Sequence, residues 1–227
     1  MSKLRIVVAT NRTQFWEQFV TYMSQNSVEH EILFVGPAME HPSVPAHVSF
    51  VDVPPHASGA ARCWEIGARM AKHELLGLMP DDVLFTSGFL DAVVEEAAKP
   101  HHCYDTFTAR YMHNGKDSLA DQRMWGDPAL PLLPLCGFSY ADAHYKIGGI
   151  DKRFNAVFWD SDLYMHMNQL GGGVTLLYEY MCYEHRIEHD LCNQHAAHDG
   201  KVLAELWPGP FGPEMKRTSE RQRWEDL

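Results

Sequence analysis

No CxxC pair occurs in this chain, and its five cysteines (Cys63, Cys103, Cys136, Cys182, Cys192) are an odd number. That speaks against a disulfide framework and for reduced thiols in a cytoplasmic protein. Long apolar runs are also missing. No stretch approaches the length of a membrane span, and the apolar run in the amino-terminal MSKLRIVVATNR is too short for a signal peptide. Positive charge is scarce: 19 Lys and Arg stand against 30 Asp and Glu, a formal charge of −11. Retention on nucleic acid or on an anionic membrane by bulk charge is therefore not expected. The one basic cluster, Lys216, Arg217, Arg221 and Arg223, is diluted by Glu220, Glu225 and Asp226. HExxH is absent, and the turn Thr10-Asn11-Arg12-Thr13 after the first apolar run is not a Gly-rich basic loop. Internal repeats and low-complexity tracts are lacking as well.

What remains is a chain of 227 residues, 45% hydrophobic and 22% charged, long enough to bury a sizeable core in one domain. Leu4 to Ala9, Glu31 to Val35, Val48 to Val53 and Leu75 to Met79 read as buried strands. Helices are expected from Thr13 to about Asn26, over Gly59 to Lys72, and over Gly88 to Ala98 with Ser87 as cap. This alternation predicts an α/β sandwich with a mainly parallel sheet, whose strand C-termini share one ligand-binding edge. Beyond it, strands are expected at 106–111, 135–140 and 173–178, and helices at 160–170 and 195–206. Residues 113–134 read as a loop over the cleft. By composition, WPGPFGPEMKR reads as a mobile tail or lid.

Three groups can carry chemistry. Asp81-Asp82, after the fourth strand, is either a solvated turn or a site for a divalent cation that favours oxygen ligands. Asp160 and Asp162, in FWDSDL, lie too close in sequence to share a helical face, so one can cap the helix while the other faces the cleft. His185 and His189 stand four apart beside Glu184 and are either structural or metal ligands. Trp125, Trp159 and Tyr164 suit sugar stacking or core packing.

The order of these segments resembles the inverting glycosyltransferases of the GT-A fold, family 2. That family opens on a Pro-Thr-x-Asn-Arg-like turn, here Val8-Ala9-Thr10-Asn11-Arg12. It continues with Ala-Arg-Asn-x-Gly, an apolar strand and Asp-Asp-Asp, and this chain has ARCWEIG at 61–67 and LLGLMPDD at 75–82. Gly-Phe-Leu is matched at 88–90, Gly-Gly-Phe-Asp-x-Arg-Phe by GGIDKRF at 148–154, and Glu-Asp-x-Asp-Leu by WDSDL at 159–163.

The resemblance implies a Rossmann-like three-layer GT-A domain over residues 1–207. Its nucleotide-binding half would be about 1–100, its acceptor and catalytic half about 101–207, with 208–227 as tail or lid. It implies a hexosyl transfer from a UDP- or GDP-sugar to an acceptor hydroxyl, with inversion and with Mn²⁺ or Mg²⁺ as cofactor. Asp82 and His185 (or His189) would hold the metal, and Asp160 would be the general base. Asp81, Thr10, Asn11, Arg12 and Arg62 would contact the nucleotide and its phosphates. Trp159, Asp162 and Trp125 would lie on the acceptor side. Two departures stand out: Pro80 replaces the first carboxylate of the triplet, and Trp159 replaces the Glu before the base. The competing classes are a nucleotidyltransferase and a non-catalytic module that binds nucleotide sugars. Oligomeric state, donor and acceptor stay open.

Overall fold

The computed structural model describes residues 4–37, 40–54, 56, 59–72, 74–113, 116–117, 132–134, 136–184, 190–209 and 215–225. Its elements are β1 (Leu4–Ala9), α1 (Trp16–Met23), β2 (His30–Pro37), β3 (Val48–Val53), α2 (Ala60–Arg69), β4 (Leu75–Pro80), β5 (Val83–Phe85) and α3 (Phe89–Ala97). They continue as β6 (Thr106–His113), β7 (Lys116–Asp117), β8 (Phe138–Tyr140), α4 (Ala141–Ile147), α5 (Trp159–Gln169), β9 (Val174–Glu184) and α6 (Asp190–Leu206). One mixed sheet runs in the order β3-β2-β1-β4-β8-β6-β9-β5, with β7 paired to β6. The long pairings β1–β2, β1–β4, β2–β3 and β6–β9 are parallel. The short ones, β4–β8, β5–β9, β6–β7 and β6–β8, are antiparallel.

The β1 sequence shows why the sheet is covered on both faces. Its side chains alternate, as in any strand. Leu4, Ile6 and Val8 enter one core with Trp16, Phe19 and Met23 of α1 and Phe89, Leu90 and Val93 of α3. Val7 and Ala9 enter the other, with α2, α4, α5 and α6. Full burial of each large apolar side chain contributes about 1.5–3 kcal/mol. Gly67 lets α2 lie directly on β1, because a Cβ there would run into the Val7 side chain. Strand register then aligns the ends of β1 and β4. Ala9 lies opposite Pro80 and Val35, so Thr10 and Asp81 both stand one step past the sheet.

Several local expectations shift. VLF at 83–85 adds a short buried strand paired to β9. β9 runs on to Glu184, because Tyr178 to Tyr180 fall outside its pairing with β6 and pairing then resumes at Arg110–Met181. Residues 13–15 form a 3₁₀ turn before α1. Ser87 does not cap α3: its hydroxyl donates to Gln25 O, and left-handed Gly88 holds the cap position. Residues 118–131, most of the segment expected to cover the cleft, lie outside the described residues.

Residues 215–225 are strapped across α5. Arg217 reaches Asp151 at 2.5 Å and Asp162 at 2.8 Å, and Arg221 reaches Asp162 at 2.7 Å. Gln222 N donates to Asp151 and Lys152 N donates to Gln222 O, closing the strap on the turn after α4. Burial, Arg221 and Arg217 push the His166 pKa down to about 4, so its neutral Nδ1 accepts from Arg221 Nε. Both carboxylates are fully buried. Removing a shared arginine from such a site leaves charge uncompensated. Arg217→Ala is therefore expected to cost about 3 kcal/mol and to lower the thermal midpoint on the order of 10 °C by calorimetry. Lys99→Ala, which breaks an exposed pair with Glu96, is the control and should leave the midpoint unchanged.

Candidate active site

Four residues meet where β1 and β4 end. Asp81 and Asp82 follow Pro80 at the tip of β4 and are both buried. Arg12, on the loop after β1, clasps them: its Nη2 donates to Asp81 Oδ1 and, at 3.0 Å, to Asp82 Oδ2, and its Nε reaches Asp81 Oδ2 at 3.2 Å. Thr10 supplies the fourth part. Its hydroxyl donates to Asp81 Oδ2 at 2.5 Å and accepts from Arg12 N and Trp16 Nε1 at 3.1 Å each. Burial opposes the Arg12 charge, but the two carboxylates outweigh it and its pKa stands above the usual arginine value. Burial also pushes the Asp81 pKa up, against the pull of Arg12 and Thr10. The charged form of Asp81 thus depends on the cation beside it.

Asp160 stands in the first turn of α5, and its Oδ1 accepts from Ser161 N at 2.8 Å. Burial raises its pKa above the ordinary aspartate value. The helix start is fixed from behind: Asp199 of α6 accepts from the backbone N–H groups of Asn155, Ala156 and Val157. Asn155 O in turn accepts from Ala61 N at 3.0 Å, which ties this loop to the N-terminus of α2.

Cys136, which sequence reasoning passed over, joins the two halves. Its thiol hydrogen-bonds Cys182, and its pKa is raised by that contact, by burial, and by the charges of both Asp160 and Asp82. Cys136 and Phe158 are the non-glycine residues with left-handed φ among those described, at 56° and 59°. One is close enough to feel the charges of Asp82 and Asp160, and the other precedes α5. Such strain persists only where the surroundings enforce it, and it gathers at functional sites. No composition signal marked either residue.

The remaining candidates fall into place as follows. Asn11 is exposed at the loop tip. Arg62 sits in the first turn of α2, its guanidinium carbon 5.3 Å from the Trp224 ring of the strap. Two acceptor-side candidates, Trp159 and Asp162, turn inward, as does Tyr164, which was open between stacking and core packing. Trp159 is buried against Trp64, with centroids 4.6 Å apart, so it packs the core. Asp162 is spent on Trp207, Arg217 and Arg221. Tyr164 is buried with its hydroxyl on Gly137 O. Trp125, His185 and His189 lie outside the described residues.

The chemistry of Asp81 and Asp82 fits a hard divalent cation, since both offer only carboxylate oxygens. Among the described residues Arg12 supplies counter-charge to both, and no group of three or more His, Cys, Asp or Glu could hold a metal. Also among the described residues, no helix is long and apolar enough to cross a membrane.

Neither a protein-family model nor a curated protein matches this chain. Solved structures do. A mannosyltransferase of Pyrobaculum calidifontis, PcManGT, in complex with GDP-Man and Mn²⁺, superposes with a TM-score of 0.68 at 15% identity, over 93% of this chain and 66% of that one. S. aureus TarS in complex with UDP gives 0.59 at 12% identity, covering 81% and 60%. GalNAc-T7 with UDP, GalNAc and Mn²⁺ gives 0.68 at 10% identity, covering 92% and 48%. This chain therefore spans 48% to 66% of the length of these structures. The sheet it shares with them is that of the GT-A glycosyltransferase fold.

Proposed function

We propose that this protein is a family 2-like glycosyltransferase, moving a hexosyl group from a nucleoside-diphosphate sugar to an acceptor hydroxyl with inversion. The observation that carries the reading is the strand-end carboxylate pair Asp81-Asp82 in a GT-A fold, with Cys136 feeling both Asp82 and Asp160. The complexes of PcManGT, TarS and GalNAc-T7 with nucleotides support a sugar-nucleotide donor, and Mn²⁺ in two of them supports a metal cofactor. Residues 1–100 would hold the donor, and 101–207 the acceptor and the base.

The roles follow from chemistry. Asp160 takes the proton of the acceptor hydroxyl, and its raised pKa makes it the stronger base. The acceptor oxygen bonds to the anomeric carbon as the bond to the diphosphate oxygen breaks, and the negative charge passes to the diphosphate. A divalent cation on Asp82 would offset that charge. Thr10, Asn11 and Arg12 lie on the loop that ends β1 and Arg62 in the first turn of α2, where donor phosphates would be reached from the sheet edge. His185, or His189, is the candidate further ligand. Holding donor and acceptor together supplies much of the remaining acceleration.

A binding module without turnover is the second reading, favoured by Pro80 in place of the first carboxylate. Two measurements test these readings, and the second separates them. UDP or GDP with Mn²⁺ should stabilise the protein by about 2.7 kcal/mol at a hundred times Kd, a thermal shift of roughly 5–10 °C. Absence of any shift would count against both readings. Asp160→Asn should lower transfer about 10²–10⁴-fold with nucleotide affinity kept. Unchanged transfer would remove Asp160 as base, and an inactive wild type that binds nucleotide would favour the module.

The same variant has a second readout. A carboxyl whose folded pKa is raised binds its proton more tightly when folded, so stability falls as pH rises through the ordinary aspartate range toward the raised value. Asp160→Asn should therefore melt above wild type at about pH 7, with the gap closing as the solution is acidified below that range.

A further inference from the structure

Two carboxylates buried side by side cannot both stay ionised without a cation close by. In this fold the cation is supplied by the chain itself. Arg12 contacts both oxygens of Asp81 and one of Asp82. It is seated by two further contacts, one of them relayed through Thr10 to Asp81. Its own N–H donates to Thr10 Oγ1, that hydroxyl donates to Asp81, and the Phe15 ring lies 5.0 Å from the guanidinium carbon. Yet Arg12 is not part of the core. It stands on a loop with φ −132° and ψ 76°, and its side chain is 25% exposed, so it can rotate away without unpacking the sheet.

We infer that Arg12 is the resident counter-cation of the Asp81–Asp82 pair, and that a divalent metal ion and Arg12 compete for these carboxylates. The inference rests on the reading of this pair as the metal edge of the site. The guanidinium already uses both Asp81 oxygens and one of Asp82. A dication drawing on the same oxygens at about 2.0–2.6 Å would bring two like charges together where little water screens them. Metal binding therefore requires Arg12 to leave. A nucleoside diphosphate makes that exchange favourable, because its phosphates offer the released guanidinium a bidentate partner. Metal and donor nucleotide then bind as a pair, and the nucleotide-free protein holds the metal weakly. Arg12 acts as a placeholder that keeps Asp81 and Asp82 charged and in position until the donor arrives.

The test is Mn²⁺ affinity without nucleotide, measured on the full chain by the electron paramagnetic resonance of free Mn²⁺. Arg12→Met should bind Mn²⁺ on the order of tenfold more tightly than wild type, or better, while Arg12→Lys, which keeps the charge, stays near wild type. Metal-free Arg12→Met should melt below wild type and recover when Mn²⁺ is added. Equal Mn²⁺ affinity in wild type and Arg12→Met would overturn the competition and leave the glycosyltransferase reading standing. No Mn²⁺ binding by any of the three, even with UDP or GDP, would overturn the inference and the metal dependence together. Should Arg12→Met fail to fold, the wild type gives the answer by NMR. The Arg12 Nε–H resonance should move as Mg²⁺ and nucleotide saturate the site, and a resonance that stays fixed at saturation would refute the exchange.

Discussion

The candidate site of this protein depends on keeping carboxylates charged inside a chain that already carries excess acid. Glu65, Asp81, Asp82, Asp151, Asp162 and Asp199 are all buried. Burying an unpaired carboxylate is costly, and each of these six is matched by cations or by converging N–H groups. Asp81 and Asp82 share Arg12. Asp151 and Asp162 share Arg217, and Asp199 gathers three backbone N–H groups. Glu65 accepts from His144, from Arg69 and from Ile150 N. Each carboxylate joins segments distant in sequence, so the acid that would destabilise a looser fold becomes the hub of this one.

These hubs explain how the two halves of the site are held in register. The β1 loop is fixed to β4 through Asp81. The start of α5 is fixed to α6 through Asp199, and its body to the C-terminal strap through Asp162. Gly149 belongs to the same system. Its φ of +77° suits glycine, and a Cβ there would collide with the Glu65 carboxylate that orders the turn. The basic cluster near the C-terminus, diluted in sequence by acidic neighbours, supplies the buried arginines of the strap.

Much of the fold was legible because β1, β2 and β4 are apolar on both faces and read as continuous runs, while α1 and α3 repeat at helical spacing. The short strand β5 was not, because three residues beside a turn carry no periodicity of their own. At the site, the positions of Asp81, Asp82 and Arg12 followed from strand ends, which register fixes. The side-chain partners did not. Asp160 and Asp162 are two residues apart in one motif, yet one lies near the Cys136 thiol and the other is spent on Trp207 and two arginines. Sequence spacing shows that they diverge but not which one turns inward, since that is decided by a strap more than fifty residues away. Trp159 likewise reads equally as stacking surface or core until Trp64 is found against it. Cys136 was invisible because nothing in its neighbours announces a left-handed backbone.

The central claim is that the ends of β1 and β4 and the start of α2 form one nucleotide-binding edge. Hydrogen exchange with and without UDP or GDP and Mn²⁺ tests it directly. Slowed exchange is expected at 9–12, 60–63 and 79–83. Protection confined to the groove between β3 and α2, lined by Val51, Val53, Ile66 and Met70, would contradict it, as would no protection at all.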